Sequence, residues 1–236
     1  MLSIAALCHD KKWEFEYYTK TISSQVKEQQ CQSNYSKAIE LGMTCIEIEH
    51  TKYHERIEAL HLNFDASMLT LAQGGANINA EEGIKVLATE IKEWQYFNSI
   101  ENLKVVTPSG TGTTAYFLAK NLECEVYTIA CVGNEMYLKE QISSLGEYPS
   151  NLTFLTTQKR YHFAKLYKEF YEIYHDIKKA GEGIDLEIDL LYAPKMFLAL
   201  KENGIKGDIL YIHSGGLIGN ESMVQRYEHK KKLARH

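Results

Sequence analysis

The sequence predicts an α/β protein built on open, doubly wound, mostly parallel sheets. Three observations carry this expectation. Apolar runs that read as strands alternate with helical-period segments along the 236 residues. Four βα repeats follow one another, and a glycine- and hydroxyl-rich turn, TPSGTGTTA (107–115), sits where a strand hands over to a helix. That handover is the place where open α/β sheets collect ligands.

The elements follow in order. MLSIAALCHDKK (1–12) reads as a helix that begins without a capping residue, and WEFEYYT (13–19) as a strand. SNYSKAIELG (33–42) is a helix ending on Gly42, TCIEIEH (44–50) a strand and YHERIEALH (53–61) a helix. MLTLAQGGANIN (68–79) runs from a strand into a glycine turn, and AEEGIKVLATEIKEWQYF (80–97) spaces its apolar residues as a long helix lying on a sheet. Strand 103–106 leads through TPSGTGTTA to helix 113–121, strand 125–132, helix 135–144 and strand 152–157. An amphipathic helix is expected over 162–181, closed by Gly181, then acidic IDLEIDLLYAP (184–194) and helix 195–204. Strand GDILYIH (207–213), the turn SGGLIGN (214–220) and a last helix complete the chain.

Composition narrows the function classes. The chain is long enough to bury one large core or two small ones, with 44% hydrophobic and 24% charged residues. A formal charge of −5 gives no global attraction to nucleic acid or anionic lipid, and only the tail EHKKKLARH (228–236) is locally basic. Cys8, Cys31, Cys45, Cys124 and Cys131 form no C-x-x-C pair and are odd in number, which argues against a disulfide framework or a zinc site. A reducing, cytoplasmic compartment fits that usage, and no stretch has the length of a membrane span.

The turn at 107–115 is the informative motif. Glycines let backbone N–H groups converge, the helix start aligns amide dipoles, and Ser109, Thr111, Thr113 and Thr114 add hydroxyls. Together these suit a phosphate of charge about −1.5 to −2. The competing reading is an ordinary capped strand-to-helix turn. A P-loop is disfavoured because no lysine lies between Val105 and Leu118. Gly110-x-Gly112-x-x-Ala115 matches the dinucleotide fingerprint, but Glu135 comes late for the ribose acid and the unit lies mid-chain, so a monophosphate ester is the better guest.

Two further turns are candidates. HSGG (213–216) occupies the same topological place, with Ser214 able to meet a ring nitrogen and Gly215-Gly216 permitting close approach. GGAN (74–77) is the least specific. A nucleophilic serine is not indicated, since no G-x-S-x-G occurs. His50, His54 and His61 space as H-x3-H-x6-H but read as a wet surface helix, and no metal is expected. The aromatic run LYKEFYEIYHDIKK suggests packing or a subunit interface rather than base stacking.

Four segments in order, GGAN…AEEGIKVLATEI, VVTPSGTGTTA, DLLYAPKMFLAL and ILYIHSGGLIGNESMVQRY, resemble the 1-aminocyclopropane-1-carboxylate deaminase and D-cysteine desulfhydrase family. MLSIAALCHDKKWEFEYYTK and SNYSKAIELGM match too, so the resemblance covers essentially the whole chain. It implies the tryptophan-synthase-β (type II) fold, pyridoxal phosphate as cofactor, a small amino acid as substrate, and a homodimer for an intact enzyme. Ser109, Gly110, Thr111, Gly112 and Thr113 would cradle the cofactor phosphate, Ser214 with Gly215 would meet the pyridine ring, and Tyr192 would line the substrate side. Residues 1–64 would be the remainder of a smaller domain and 65–236 the larger, cofactor-binding one.

In the resembled family a lysine near the N-terminus holds the cofactor as a Schiff base, followed by a Ser-Asn-His or Ser-Asn-Gln loop. Both precede the helix that MLSIAALC resembles, so the expectation is that Met1 is an internal methionine of a longer ancestor and that the Schiff-base lysine is absent. Lys37, after a Ser-Asn pair, reads as a solvated helix residue. The chain alone is then expected to be inactive or very weak. The other class of reading is a non-catalytic phosphate-binding remnant, or one subunit of a split enzyme with a complementing N-terminal fragment.

Overall fold

The computed structural model describes residues 1–27, 33–62, 67–184 and 186–233. They divide into two compact units, residues 71–215 and residues 1–70 with 216–236.

The larger unit is built on a four-stranded parallel sheet. Strands β3 (Lys104–Ser109), β4 (Glu125–Ala130), β5 (Leu152–Phe154) and β6 (Ile209–Tyr211) lie in the order β5-β4-β3-β6. Register pairs Ser109 with Ala130 and Val106 with Tyr211. Val105 and Val106, which point to opposite faces, are both fully buried, as a parallel sheet covered on two sides requires.

Helices α5 (Ala80–Phe97), α6 (Thr113–Asn121) and α7 (Glu135–Ser143) supply one cover, burying Ile91, Phe117, Leu118, Leu138 and Ile142 with Val105 and Val126. Helix α9 (Ala193–Glu202) supplies the other, with Met196, Ala199 and Leu200 against Val106, Tyr127 and Ile129. Asn134 caps α7 by accepting the Tyr137 N–H, and a proline stands in the first turn of α9. Helix α8 (Lys168–Ala180) packs on α9.

In the smaller unit, β1 (Phe15–Lys20) pairs in parallel with β2 (Met43–Ile48). Helices α1 (Leu2–Lys11) and α3 (Asn34–Glu40) bury Ala5 and Ala38 with Met43, and Ser33 with Ser36 forms a capping box on α3. The short helix α2 (Ser24–Lys27), helix α4 (Tyr53–Leu62) and helix α10 (Gly219–Leu233) belong to it as well. No described helix is long and apolar enough to cross a membrane. Cys8, Cys45, Cys124 and Cys131 are free thiols, and Cys31 lies outside the described residues.

The alternating α/β reading holds, and α5 and α6 begin and end where the spacing places them. Three expectations differ. MLTL (68–71) is not a strand: no described strand pairs with it, and Leu69 is 79% exposed. An apolar run becomes a strand only where a neighbour accepts its ladder, which periodicity does not report. The amphipathic helix expected over 162–181 starts only at Lys168, because Ala164 is left-handed at φ 57 and the preceding aromatics pack on one another. Residues 216–236, expected with the larger domain, group with residues 1–70, where Gly216 faces Asn34 and Met223 and Tyr227 are buried.

Gly112 opens α6 at φ 81, and a β-carbon there would stand 2.6 Å from Ile142 Cγ1 and 2.8 Å from Leu138 Cδ1, both side chains fully buried. Gly112→Ala should therefore lower stability by about 2–5 kcal/mol, combining a left-handed penalty with overpacking. Gly75→Ala, at φ 64 with nothing within 4 Å, carries the backbone penalty alone and should cost about 1–2 kcal/mol. Urea denaturation of the two variants checks this, and equal losses would contradict the packing part.

Candidate cofactor site

The sheet order fixes where a site can form. From β3 the chain winds outward through β4 to β5, then returns to place β6 on the other side of β3. The turns after β3 and β6 therefore lie side by side at the carboxyl edge of adjacent strands, where open α/β sheets collect ligands. Residues 110–112 and 213–215 are those turns.

At the first turn, the N–H groups of Gly110 through Ala115 have no acceptor among the described residues. Helix α6 begins there with no side-chain cap, so its positive dipole end and open amides face the same point. Thr111 Oγ1 and Thr113 Oγ1 share one hydrogen bond of 3.1 Å, which leaves one of their two hydroxyl hydrogens to donate elsewhere. Gly110 lies beneath the Tyr192 ring edge: a β-carbon there would sit 3.8 Å from the phenol oxygen.

Ser109 behaves differently from the expectation that its hydroxyl joins the cup. It is buried, and its Oγ lies 2.6 Å from Thr128 Oγ1, which itself donates to the Thr107 carbonyl at 2.8 Å. With Thr128's only hydroxyl hydrogen committed, Ser109 must be the donor to Thr128. Its hydroxyl hydrogen thus stays inside the sheet.

The GGAN turn converges on the same place. Gly74, at φ 71, lies so close to Thr111 that a β-carbon would meet its Oγ1 at 2.5 Å. No other residue type fits between that turn and the cup.

Asp189, which the sequence reading passes over, organises the second turn and Tyr192 together. Its carboxylate is only 3% exposed. Oδ1 accepts the N–H groups of Leu191 at 3.0 Å and Tyr192 at 2.6 Å, and Oδ2 accepts that of Ala193 at 3.3 Å. Its own N–H donates to His213 Nε2 at 3.2 Å, a bond that requires Nε2 to be unprotonated; the 3.7 Å from Nε2 to Oδ2 is then no hydrogen bond. A β-carbon on Gly215 would stand 2.9 Å from the same carboxylate. One clue is visible in the sequence: an acid three residues before Tyr192, ahead of a proline, is a helix-start pattern.

Tyr192 is half-buried, and burial first, then Cys131 and Asp189, push its phenol up to about 12, so the group is protonated near neutral pH. Phe163 leans on it, with ring centroids 5.1 Å apart. Burial likewise raises the Cys131 thiol to about 12. Burial lowers the Lys195 ammonium from its ordinary value, and its Nζ donates to the carbonyls of Ala130 at 2.6 Å and Tyr161 at 3.5 Å. Ser214 is exposed on its turn, beside Gly215.

Other sequence candidates fall elsewhere. Lys37 pairs with Glu40 on the surface of α3, and His50 lies 3.4 Å from Lys20 Nζ. Among the described residues no group of three or more His, Cys, Asp or Glu side chains is placed to hold a metal ion.

No protein-family profile and no curated protein matches the chain. Solved structures do. A hydrogen sulfide-producing enzyme of Fusobacterium nucleatum, determined as a variant with an alpha-aminoacrylate intermediate, is 12% identical at a TM-score of 0.66, covering 94% of this chain and 68% of its own. A second such enzyme from that organism gives 11% identity and 0.59, covering 91% and 74%. Serine racemase of Dictyostelium discoideum gives 14% and 0.56, covering 91% and 72%. At these identities the likeness is one of fold, and the fold is the type II architecture expected above.

Asp189→Asn would turn one carboxylate acceptor into a donor facing backbone N–H groups. It should cost about 1.5–3 kcal/mol in denaturant unfolding, the range for hydrogen bonds to a charged group. A loss under about 0.5 kcal/mol would mean that these amides are satisfied by other means.

Proposed function

We propose that this chain binds pyridoxal phosphate, through the turns after β3 and β6, as part of an enzyme acting on a small amino acid. The observation that carries this reading is the cup: six consecutive amides without an acceptor among the described residues, at the start of a helix, on the carboxyl edge of a parallel sheet. It is supported by folds shared with enzymes named for hydrogen sulfide production and serine racemisation. Within that class, the sequence segments favour the 1-aminocyclopropane-1-carboxylate deaminase or D-cysteine desulfhydrase type.

When bound, the cofactor supplies an electron-withdrawing ring that stabilises negative charge beside the amino nitrogen. The residues of this chain do the holding. Amides of Gly110, Thr111, Gly112 and Thr113, with one threonine hydroxyl, take the phosphate oxygens, while Ser109 contributes its position at the strand end rather than its hydroxyl. No lysine stands in the turn, so the anion is met by dipoles and hydrogen bonds. Ser214 offers a neutral hydroxyl to the ring nitrogen, with Gly215 allowing the approach. Tyr192, protonated near neutral pH, holds a proton at its phenol oxygen above Gly110 and can donate it on the substrate side.

Among the described lysines, Lys195 is the buried one beside this edge, and its amine is committed to two carbonyls. The reading is therefore of non-covalent binding by these 236 residues, with no amino-acid turnover by them alone. Equilibrium dialysis should show pyridoxal phosphate binding at least about tenfold more tightly than pyridoxal, a difference of about 1.4 kcal/mol, and Gly110→Val should abolish that preference. Borohydride treatment of the complex should leave no mass adduct. Equal binding of the two compounds would remove the phosphate reading, and a lysine adduct would remove the non-covalent one.

A further inference from the structure

The loop between β5 and α8 carries an aromatic ring to the same place. Phe163 is 40% exposed yet tilts against Tyr192 at 55°, and Tyr192 in turn overhangs Gly110. From cup to loop, Gly110, Tyr192 and Phe163 thus form one continuous wall.

The loop bearing Phe163 is pinned on both sides of it. Lys195 ties the Tyr161 carbonyl to the end of β4, and Tyr161 is 6% exposed and stacked on Phe170 at 4.7 Å. The His162 N–H donates to the Tyr167 hydroxyl at 2.9 Å, and the Lys165 N–H reaches back to the His162 carbonyl at 3.3 Å. Ala164 takes φ 57 to complete the turn, a conformation uncommon for a residue with a β-carbon. A large apolar ring held by a pinned and strained turn, rather than left to find the core, has a defined position against Tyr192.

Resting on the cofactor reading above, we propose that Phe163 is a specificity-determining residue that limits the size of the amino acid's side chain. With the cofactor phosphate held in the cup, an amino acid joined to the cofactor would meet Tyr192, and Phe163, which leans on that ring, would bound the space left for its side chain. A small side chain fits beneath the ring. A bulky one must displace it or distort the turn that carries it.

Reduced conjugates of the cofactor with an amino acid test this without turnover. Affinities for phosphopyridoxyl-alanine and phosphopyridoxyl-phenylalanine would be measured on the whole chain and on Phe163→Ala and Phe163→Leu. The unaltered chain should favour the alanine conjugate by about 10-fold or more, within the range by which apolar sites discriminate by size. Phe163→Ala should bring the ratio to within about 3-fold by tightening the phenylalanine conjugate alone, while Phe163→Leu keeps most of the preference. If the unaltered chain shows no preference, or keeps the same preference in Phe163→Ala, the assignment is overturned. Failure to bind either conjugate or pyridoxal phosphate itself would overturn the phosphate cup, and this inference with it. Binding of both conjugates with an unchanged ratio removes only Phe163.

Discussion

One buried carboxylate sets the geometry of the candidate site. Asp189 is removed from water and compensated by three backbone N–H groups at the start of α9. A carboxylate left there without them would be costly to bury, so the chain around it has little freedom. Satisfying Asp189 fixes the backbone of Tyr192, and its bulk leaves room at residue 215 for glycine only. Its N–H then engages His213, in the turn after β6. Tyr192 and the turn after β6 are therefore positioned by the same residue.

The sheet provides the rest. Because β3 has β4 on one side and β6 on the other, the turns leaving β3 and β6 lie side by side at the carboxyl edge, and amides of the first find no acceptor among the described residues although Gly112, Thr113 and Ala115 are buried. The hydroxyls divide the labour. Ser109 and Thr128 knit two strands together below the turn, while half-buried Thr111 and buried Thr113 bond to each other at the helix start. This division explains how a run with so many hydroxyls can be both a strand end and a binding surface.

Much of this was legible in the sequence because it rests on local chemistry. Helices α5 and α6 are set by periodicity and by the glycine turn before α6, and the anion-binding character of 109–113 follows from glycines and hydroxyls at a strand end. What the sequence hid depends on pairing in three dimensions. MLTL has a strand's composition but no neighbour, and Tyr161, Tyr167 and Phe170 mimic a helical stripe while packing as a cluster. The direction of Ser109's hydroxyl could not be read either, since it depends on Thr128, which register alone brings alongside. Asp189 was one acid in an acidic stretch until its three amides were seen.

Gly74 and Thr111 impose a constraint of another kind. The missing β-carbon of one is filled by the hydroxyl and methyl of the other, across 37 positions of sequence. Neither position can drift by itself. A side chain at 74 is strained by the left-handed backbone in any case, and it also needs 111 to give up both the methyl and the hydroxyl that face it, which takes a hydroxyl from the cup. Neutral variation at this pair must therefore pass through a form with a weakened cup, and substitutions there are expected to arise together or not at all.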